Sequence, residues 1–469
     1  MAKGYTWRPM TVAFASLFLG LVAGVQPVAL AVGEGVARVE LLLDGELVGE
    51  RTEPPWEIPC DFGDGLAPHE LVAVARSAEG AELGRARQWI NLPRSEAEAT
   101  VVLEGAEDGR GAVARISWES LANQVPRQVT VTFDGRPLPV ADPRAVPLPD
   151  HDPETLHLLR VELDFTANLS AVTELVFGGA YRADTATELT AVAAEVEGRR
   201  RGLEPADLAG RLATGGRPLV PVAVEEGPAE VVVVMDRAAQ EALWELGRRW
   251  APGHAGASVR SDPRAPLALP GAQEVRPSGA AALSSLRHSY RLAQEQSLRF
   301  LWPFSRSQEH GRVRYLLFSR SEDHPPQDGG VLWLLTAAQQ PPFSAAEQRL
   351  ADAVAVAGMS ASARGRRRAV VLVLSEEPSD ASRLAPAAVR RYLGHLGVPL
   401  FVWSVGPVSD EVAAAWGDVR PVDRQARFRN AVEELSESLK RQRIVWIEGL
   451  HLPQAVELTG EAEGVRLVR

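Results

Sequence analysis

Asp236 stands where a run of five apolar residues (231–235) gives way to the amphipathic stretch "RAAQEALWELGRRW". In open α/β sheets a carboxylate at the carboxyl end of a buried strand faces the ligand crevice, where it can ligate a cation or meet a partner. A second apolar run, "RRAVVLVLS", ends on Glu376 and Glu377, and Asp380 follows. These side chains supply hard oxygen donors, the chemistry that suits Mg²⁺, Mn²⁺ or Ca²⁺. Each also has a plainer role. Asp236 can cap the helix that follows it, and the two glutamates can sit in a solvated loop.

Other groups carry weaker chemistry. In "DHDPE", Asp150, Asp152 and Glu154 alternate as in a calcium loop, but Pro153 and the lack of a further glycine favour an exposed acidic loop. His310 and His324 fall on expected loops, too far apart in sequence to form a ligand pair. "RGRRR" (364–368) reads as a solvated turn able to touch an acidic partner. "RFLWPF" (299–304) reads as the end of a helix, placed in a core or a seam between domains. No HExxH, GxSxG, P-loop or GxGxxG motif occurs, so no catalytic residue is assigned.

The chain that positions these groups has 469 residues, beyond a single core of about 250–300, so two to four domains are expected. Its 45% apolar and 24% charged residues are ordinary for a globular protein. A net charge of −11 without a basic block argues against nucleic acid as a partner. Cys60 is the only cysteine, which excludes an intramolecular disulfide and a multi-cysteine metal site. At the N-terminus Lys3 and Arg8 precede "MTVAFASLFLGLVAG", and Ala29, Leu30 and Ala31 form a small-x-small site. Residues 1–31 are therefore expected to be a signal peptide that engages the export machinery, giving a periplasmic or extracellular protein. An uncleaved helix anchored in the inner membrane is the alternative.

Residues 34–94 alternate apolar and polar, with the Asp44–Gly45 pair as a hairpin signal. "VELLLDGELVGERTEPPWEIPCDF" and "LVAVARSAEG" resemble bacterial immunoglobulin-like modules, in which Trp56 and Phe62 would be core. Residues 98–186 read as a second β-sandwich, with Asp134–Gly135 as its hairpin signal, and 188–227 as a small β connector. Residues 229–447 alternate strand and helix. Their strands include "AEVVVVMD", "GGVLWLLTA", "RRAVVLVLS" and "VPLFVWSVG", and their helices include 278–301. Continuous apolar strands between amphipathic helices predict a doubly wound α/β domain, with 448–469 as closing strands.

From the connector onward the chain resembles bacterial von Willebrand factor A-related proteins. The resemblance is carried by "RRGLEPADLAGRLATGGRPLVPV", by "RRAVVLVLSEEPSDASR" with the following "AAVRRYLGHLGVPLFVWSVGP", and by "VRPVDRQARFRNAVEELSESLKRQRIVWIEG". It implies a metal ion-dependent adhesion site built from a DxSxS run, a threonine and a second aspartate. Asp236 matches the first position. Ala238 and Gln240 replace the two serines, Ser344 is the nearest counterpart of the threonine, and Glu376 replaces the second aspartate with one more methylene. Asp380 matches a downstream acid. Mg²⁺ demands near-ideal octahedral geometry at about 2.0–2.1 Å, so these replacements predict a degenerate site with no metal and no cofactor. The expected function is an exported, non-enzymatic interaction or scaffolding protein that binds a protein partner through loops holding Asp236, Glu376, Glu377 and Asp380. A cation-dependent adhesion module and an unrecognised hydrolase are the alternatives.

Overall fold

The computed structural model describes residues 11–16, 18, 21–33, 35–92, 97–104, 110–120, 125–166, 169–178, 189–197, 202–250, 286–310, 313–340, 347–460 and 464–469. The first module contains β1 (Val12–Phe14), β2 (Val25–Val32), β3 (Arg38–Leu43), β4 (Glu46–Arg51), β5 (Glu57–Asp61), β6 (His69–Arg76) and β7 (Glu82–Ile90). They pair antiparallel in two sheets, β1-β2-β5 and β4-β3-β6-β7. Period-2 alternation makes the sandwich: β5 buries Ile58 and Cys60 and exposes Glu57, Pro59 and Asp61. Phe62 is core and Trp56 packs on its rim.

This sandwich begins within the segment read as a leader. Val12, Phe18, Val22, Val28 and Leu30 fill the same core as Val39 and Leu41, and β2 pairs with β5 from Val25 to Ala29. A short apolar run with small residues suits a leader's hydrophobic region and a buried strand equally, and periodicity alone does not separate them.

The second module holds β8 (Ala97–Glu104), β9 (Val113–Ser120), β10 (Gln128–Phe133), β11 (Arg136–Leu138), β12 (Ala145–Pro147), β13 (His157–Thr166) and β14 (Leu169–Phe177). Its sheets are β12-β9-β8 and β11-β10-β13-β14, again antiparallel. Both modules are immunoglobulin-like sandwiches. Each has the hairpin turn its Asp-Gly pair demands, with φ positive at both residues: 52° and 88° at Asp44 and Gly45, 49° and 74° at Asp134 and Gly135.

β15 (Leu189–Val196), α1 (Pro205–Leu208), β16 (Leu212–Thr214), β17 (Arg217–Pro218) and β18 (Pro221–Glu225) follow. The α/β domain then runs through β19 (Ala229–Met235), α2 (Arg237–Trp250), β20 (Gln296–His310), β21 (Val313–Arg320), α3 (Val331–Ala337), α4 (Leu350–Ser362), β22 (Arg367–Leu374), α5 (Pro386–His395), β23 (Leu400–Ser404), α6 (Asp410–Trp416), β24 (Val419–Pro421) and α7 (Gln425–Arg441). After it come β25 (Gln442–Glu448), β26 (Val456–Leu458) and β27 (Val465–Leu467). These last strands do not stand apart from the connector. They build one unit with it, in sheets β18-β25-β15-β27 and β17-β16-β26 around Val192, Leu208, Val445 and Ile447. The α/β domain is thus inserted into a third β unit. Its end lies at Arg441 rather than 447, because β25 pairs with β15 and β18.

The α/β sheet has the order β21-β20-β19-β22-β23-β24, parallel except at the β20–β21 pair. β19 is buried throughout. Val231, Val233 and Met235 pack with α2, α3 and α7, while Val232 and Val234 pack with α4 and α5. The helices fit through apolar stripes: α7 buries Phe428, Ala431, Val432, Leu435 and Leu439. α4 and α5 approach closely at Gly358, where a Cβ would lie 2.7 Å from Leu393.

Two segments exchange their expected types. Of the helix expected at 278–301, residues 296–301 lie in β20 and 286–290 form turns, while residues 278–285 fall outside the described residues. Phe300, Trp302 and Phe304 face α2 and α3, and Leu301 faces the opposite side, a strand's alternation. "GGVLWLLTA", expected as a strand, forms α3, with Val331, Leu332, Leu334 and Leu335 buried. Short fully buried runs carry no period that separates the two. Among the described residues no helix is long and apolar enough to cross a membrane.

The arginines at 364–368 do not form a solvated turn. Arg364, Arg367 and Arg368 are buried. Arg364 reaches Glu162 at 3.7 Å and Asp164 at 3.4 Å on the second sandwich, and Glu230 at 3.8 Å and Asp323 at 3.3 Å in its own domain. Arg366 pairs with Glu162. Arg299 bridges Glu230 at 3.4 Å and Asp323 at 2.6 Å. Beside them Arg160 donates to the Gly365 carbonyl at 2.9 Å, lies 3.5 Å from Glu225 and stacks over Trp446. This lattice ties the second sandwich, the third β unit and the α/β domain together.

Candidate functional site

The strand order reverses direction between β19 and β22, and Asp236 and Ser375 stand at the carboxyl ends of those two strands. This is the topological switch point, where open α/β sheets place their ligand crevice. Asp236 is 1% exposed. Its Oδ1 accepts from the Gln348 amide at 2.9 Å and from the Ala238 N–H at 3.3 Å. Its Oδ2 accepts from the Ser375 N–H at 3.1 Å and from the Ser375 hydroxyl. Four donors therefore converge on one carboxylate, and the contact to the Ala238 N–H is the helix cap expected at α2.

Gln348 is fully buried and uses both ends of its amide. While its nitrogen holds Asp236, its oxygen accepts the Arg237 N–H at 2.7 Å. Gln240 turns away from the carboxylate. Its amide donates to the carbonyls of Leu335 at 2.9 Å and Ala338 at 2.7 Å, closing the end of α3. Ser344 lies outside the described residues. The residue at the end of β22 that meets Asp236 is Ser375 rather than Glu376. Glu376 is exposed and lies over Gly406, where a Cβ would collide with it.

Asp380 is likewise spoken for. It accepts the N–H groups of Leu350 at 2.8 Å and Ala351 at 3.2 Å, capping α4. Asp352, in the first turn of α4, accepts from the N–H of Leu384 at 3.0 Å. The two carboxylates clasp the 378–384 loop to α4. Of the expected loop acids, only Glu376 and Glu377 present uncommitted carboxylates to solvent.

Among the described residues, the groups around Asp236 do not fit a divalent cation. Its oxygens face N–H and O–H groups, Ala238 has no donor oxygen to give, and Gln240 is engaged elsewhere. Hydrogen bonds to a buried carboxylate satisfy it as a cation would. Ser375 and Gln348 hold Asp236, and neither is among the expected site residues. Ser375 was visible as the polar residue ending an apolar strand, but Gln348 joins Asp236 across 112 residues.

One constellation has the outline of a hydrolase triad. Thr155 Oγ lies 2.9 Å from His157 Nε2, and His157 Nδ1 lies 2.8 Å from Asp134. Nε2 also faces the Asp152 carbonyl at 2.9 Å, an oxygen that can only accept. The Thr155 hydroxyl itself donates to that carbonyl at 2.9 Å, so its proton is directed away from the imidazole. The same arrangement recurs in the first sandwich, where Asp44 meets His69 at 2.7 Å and the Glu70 N–H at 2.8 Å, as Asp134 meets His157 and the Leu158 N–H at 2.9 Å. It is a corner lock that fastens each Asp-Gly turn to the following long strand. The "DHDPE" loop beside it folds on itself, with Asp152 accepting the Glu154 N–H at 3.0 Å. His324 lies 3.5 Å from Asp328, and His310 ends β20. Burial, with Asp61 and Asp44 adding to it, pushes the Cys60 thiol up to about 11, away from nucleophilic use.

No family model and no curated protein matches the chain. Fibronectin(III)-like modules of Clostridium thermocellum CbhA are similar at 23% identity over 17% of this chain and 93% of theirs, with a TM-score of 0.16. The central fibronectin-III array of RIM-binding protein is similar at 14% identity over 44% of this chain and 85% of its own, with a TM-score of 0.19. A Parabacteroides merdae beta-glucuronidase is similar at 16% identity over 36% of this chain and 25% of its own, with a TM-score of 0.16. Scores this low carry no argument, and the sandwiches rest on their own strand pairing.

Proposed function

We propose that this chain is a non-enzymatic interaction scaffold whose α/β domain is von Willebrand A-like, with a strand-end site that works without a cation. The observation that carries this reading is the Asp236 carboxylate, whose oxygens are taken up by Gln348, Ser375 and the Ala238 N–H. The strand order with an antiparallel edge supports the domain class. The buried ion lattice supports a scaffold, because it fixes three modules in one relative orientation. A protein partner would meet the rim of the switch point, where Glu376 and Glu377 are exposed. Export remains compatible with this reading, but the pairing of β2 with β5 supports retention of residues 12–32 rather than cleavage after Ala31.

The test is capture of partners by the tagged full-length chain from bacterial extract, with and without EDTA. Capture that survives chelation and falls in Glu376→Arg/Glu377→Arg is the expected result. Capture that needs Mg²⁺ or Mn²⁺ would restore the cation-dependent adhesion reading.

A further inference from the structure

A cleft of about 500 Å³ opens between α5, the start of β23 and the turn after α6, on the flank of the sheet and away from the switch point. Its floor is apolar and buried, formed by Leu393, Val402 and Trp416. Its rim is cationic. Arg390 and Arg391 are exposed and make no ion pair or hydrogen bond among the described residues. Arg390 lies across Gly417, where a Cβ would stand 2.6 Å from its guanidinium carbon. Arg469 closes a third side, its guanidinium held by the carbonyls of Pro453, at 3.2 Å, and Val456. The one acid among the lining side chains, Asp418, lies 3.5 Å from Arg420. The Nδ1 of His395, at the end of α5, is buried with no hydrogen-bond partner among the described residues.

In a chain of net charge −11, two uncommitted arginines over an apolar floor are complementary to an acidic occupant. Guanidinium forks match carboxylates in geometry, and arginine with tryptophan dominates binding hot spots. The volume takes one or two side chains, not a folded domain. We propose that this cleft docks an acidic peptide segment of a partner protein, with an apolar side chain seated on Trp416 and carboxylates on Arg390 and Arg391. The site is separate from the switch point, so its failure leaves the strand-end reading standing.

The probe is a fluorescein-labelled peptide of alternating glutamates around one central tryptophan, titrated by anisotropy against the full chain. Saturable micromolar binding is expected. It should weaken at least about tenfold in Arg390→Glu/Arg391→Glu and in Arg390→Gln/Arg391→Gln, and equally when glutamines replace the peptide's glutamates. Arg136→Glu, on the second sandwich, should leave it unchanged. Four results would overturn the proposal: no saturation below about 1 mM, equal binding of the glutamine peptide, equal binding by both arginine variants, or displacement of the peptide by inorganic phosphate at matching concentration.

Discussion

Both oxygens of the buried Asp236 carboxylate are engaged by hydrogen bonds. A buried acid must be satisfied, and here the Gln348 amide and the Ser375 N–H and hydroxyl satisfy it. Asp236→Ala should therefore cost about 1–3 kcal/mol in urea unfolding, because it strands buried donors of both residues. An unchanged midpoint would contradict the bonding described. Glu174 offers a second test. Burial pushes its carboxyl from 4.5 up to about 7, with Glu225 and Glu162 adding to the rise and Arg160 opposing it. The folded state thus holds this proton more tightly than the unfolded one. The associated stability is complete below about pH 4.5 and is lost as pH rises through about 7. Glu174→Gln should flatten that decline between the two values, read as the pH dependence of the urea midpoint. The acid at 236 was legible in the sequence because it ends an apolar run. Its partners were not, because Gln348 is brought to it only by the fold, and the resemblance points to Glu376 rather than to its neighbour Ser375.

At the level of elements, patterns with a clear period were legible and fully buried runs were not. The Asp-Gly hairpins, β19, β22 and α7 follow from turn chemistry and apolar spacing. α3 and the first part of β20 changed type because short apolar segments fit a helix or a strand, and their neighbours decide. β1 and β2 belong to the same class of ambiguity. Removing residues 1–31 would delete β1 and nearly all of β2, and with them Val28 and Leu30 from the first core. A chain lacking 1–31 should lose the cooperative unfolding of that sandwich and expose it to limited proteolysis. Equal protease resistance of the shortened and full chains would show that the two strands contribute nothing to the fold.

At the scale of the whole molecule, the topology was the least legible feature. Residues 188–227 and 442–469 look like separate ends of a domain, yet they pair through β25 into one unit, because strand partners distant in sequence leave no local signal. The arginines at 364–368 gave a similar false impression. Their charge suggests solvent, but the acids that meet Arg364 and Arg366 lie on the second sandwich, on β19 and just after β21, and Arg367 and Arg368 are held by backbone carbonyls. Breaking a buried pair leaves uncompensated charge, so Arg364→Ala should cost about 3–5 kcal/mol and loosen the second sandwich from the α/β domain. Small-angle scattering would read that loosening as an increased radius of gyration, and unchanged dimensions with unchanged stability would remove the lattice's role. Hydrogen bonds occupy both oxygens of Asp236 at the switch point, and titration calorimetry of the full chain with Mg²⁺, Mn²⁺ and Ca²⁺ reads whether a cation can still bind there. No micromolar binding of any of the three is expected. Micromolar binding that disappears in Asp236→Ala would contradict this expectation.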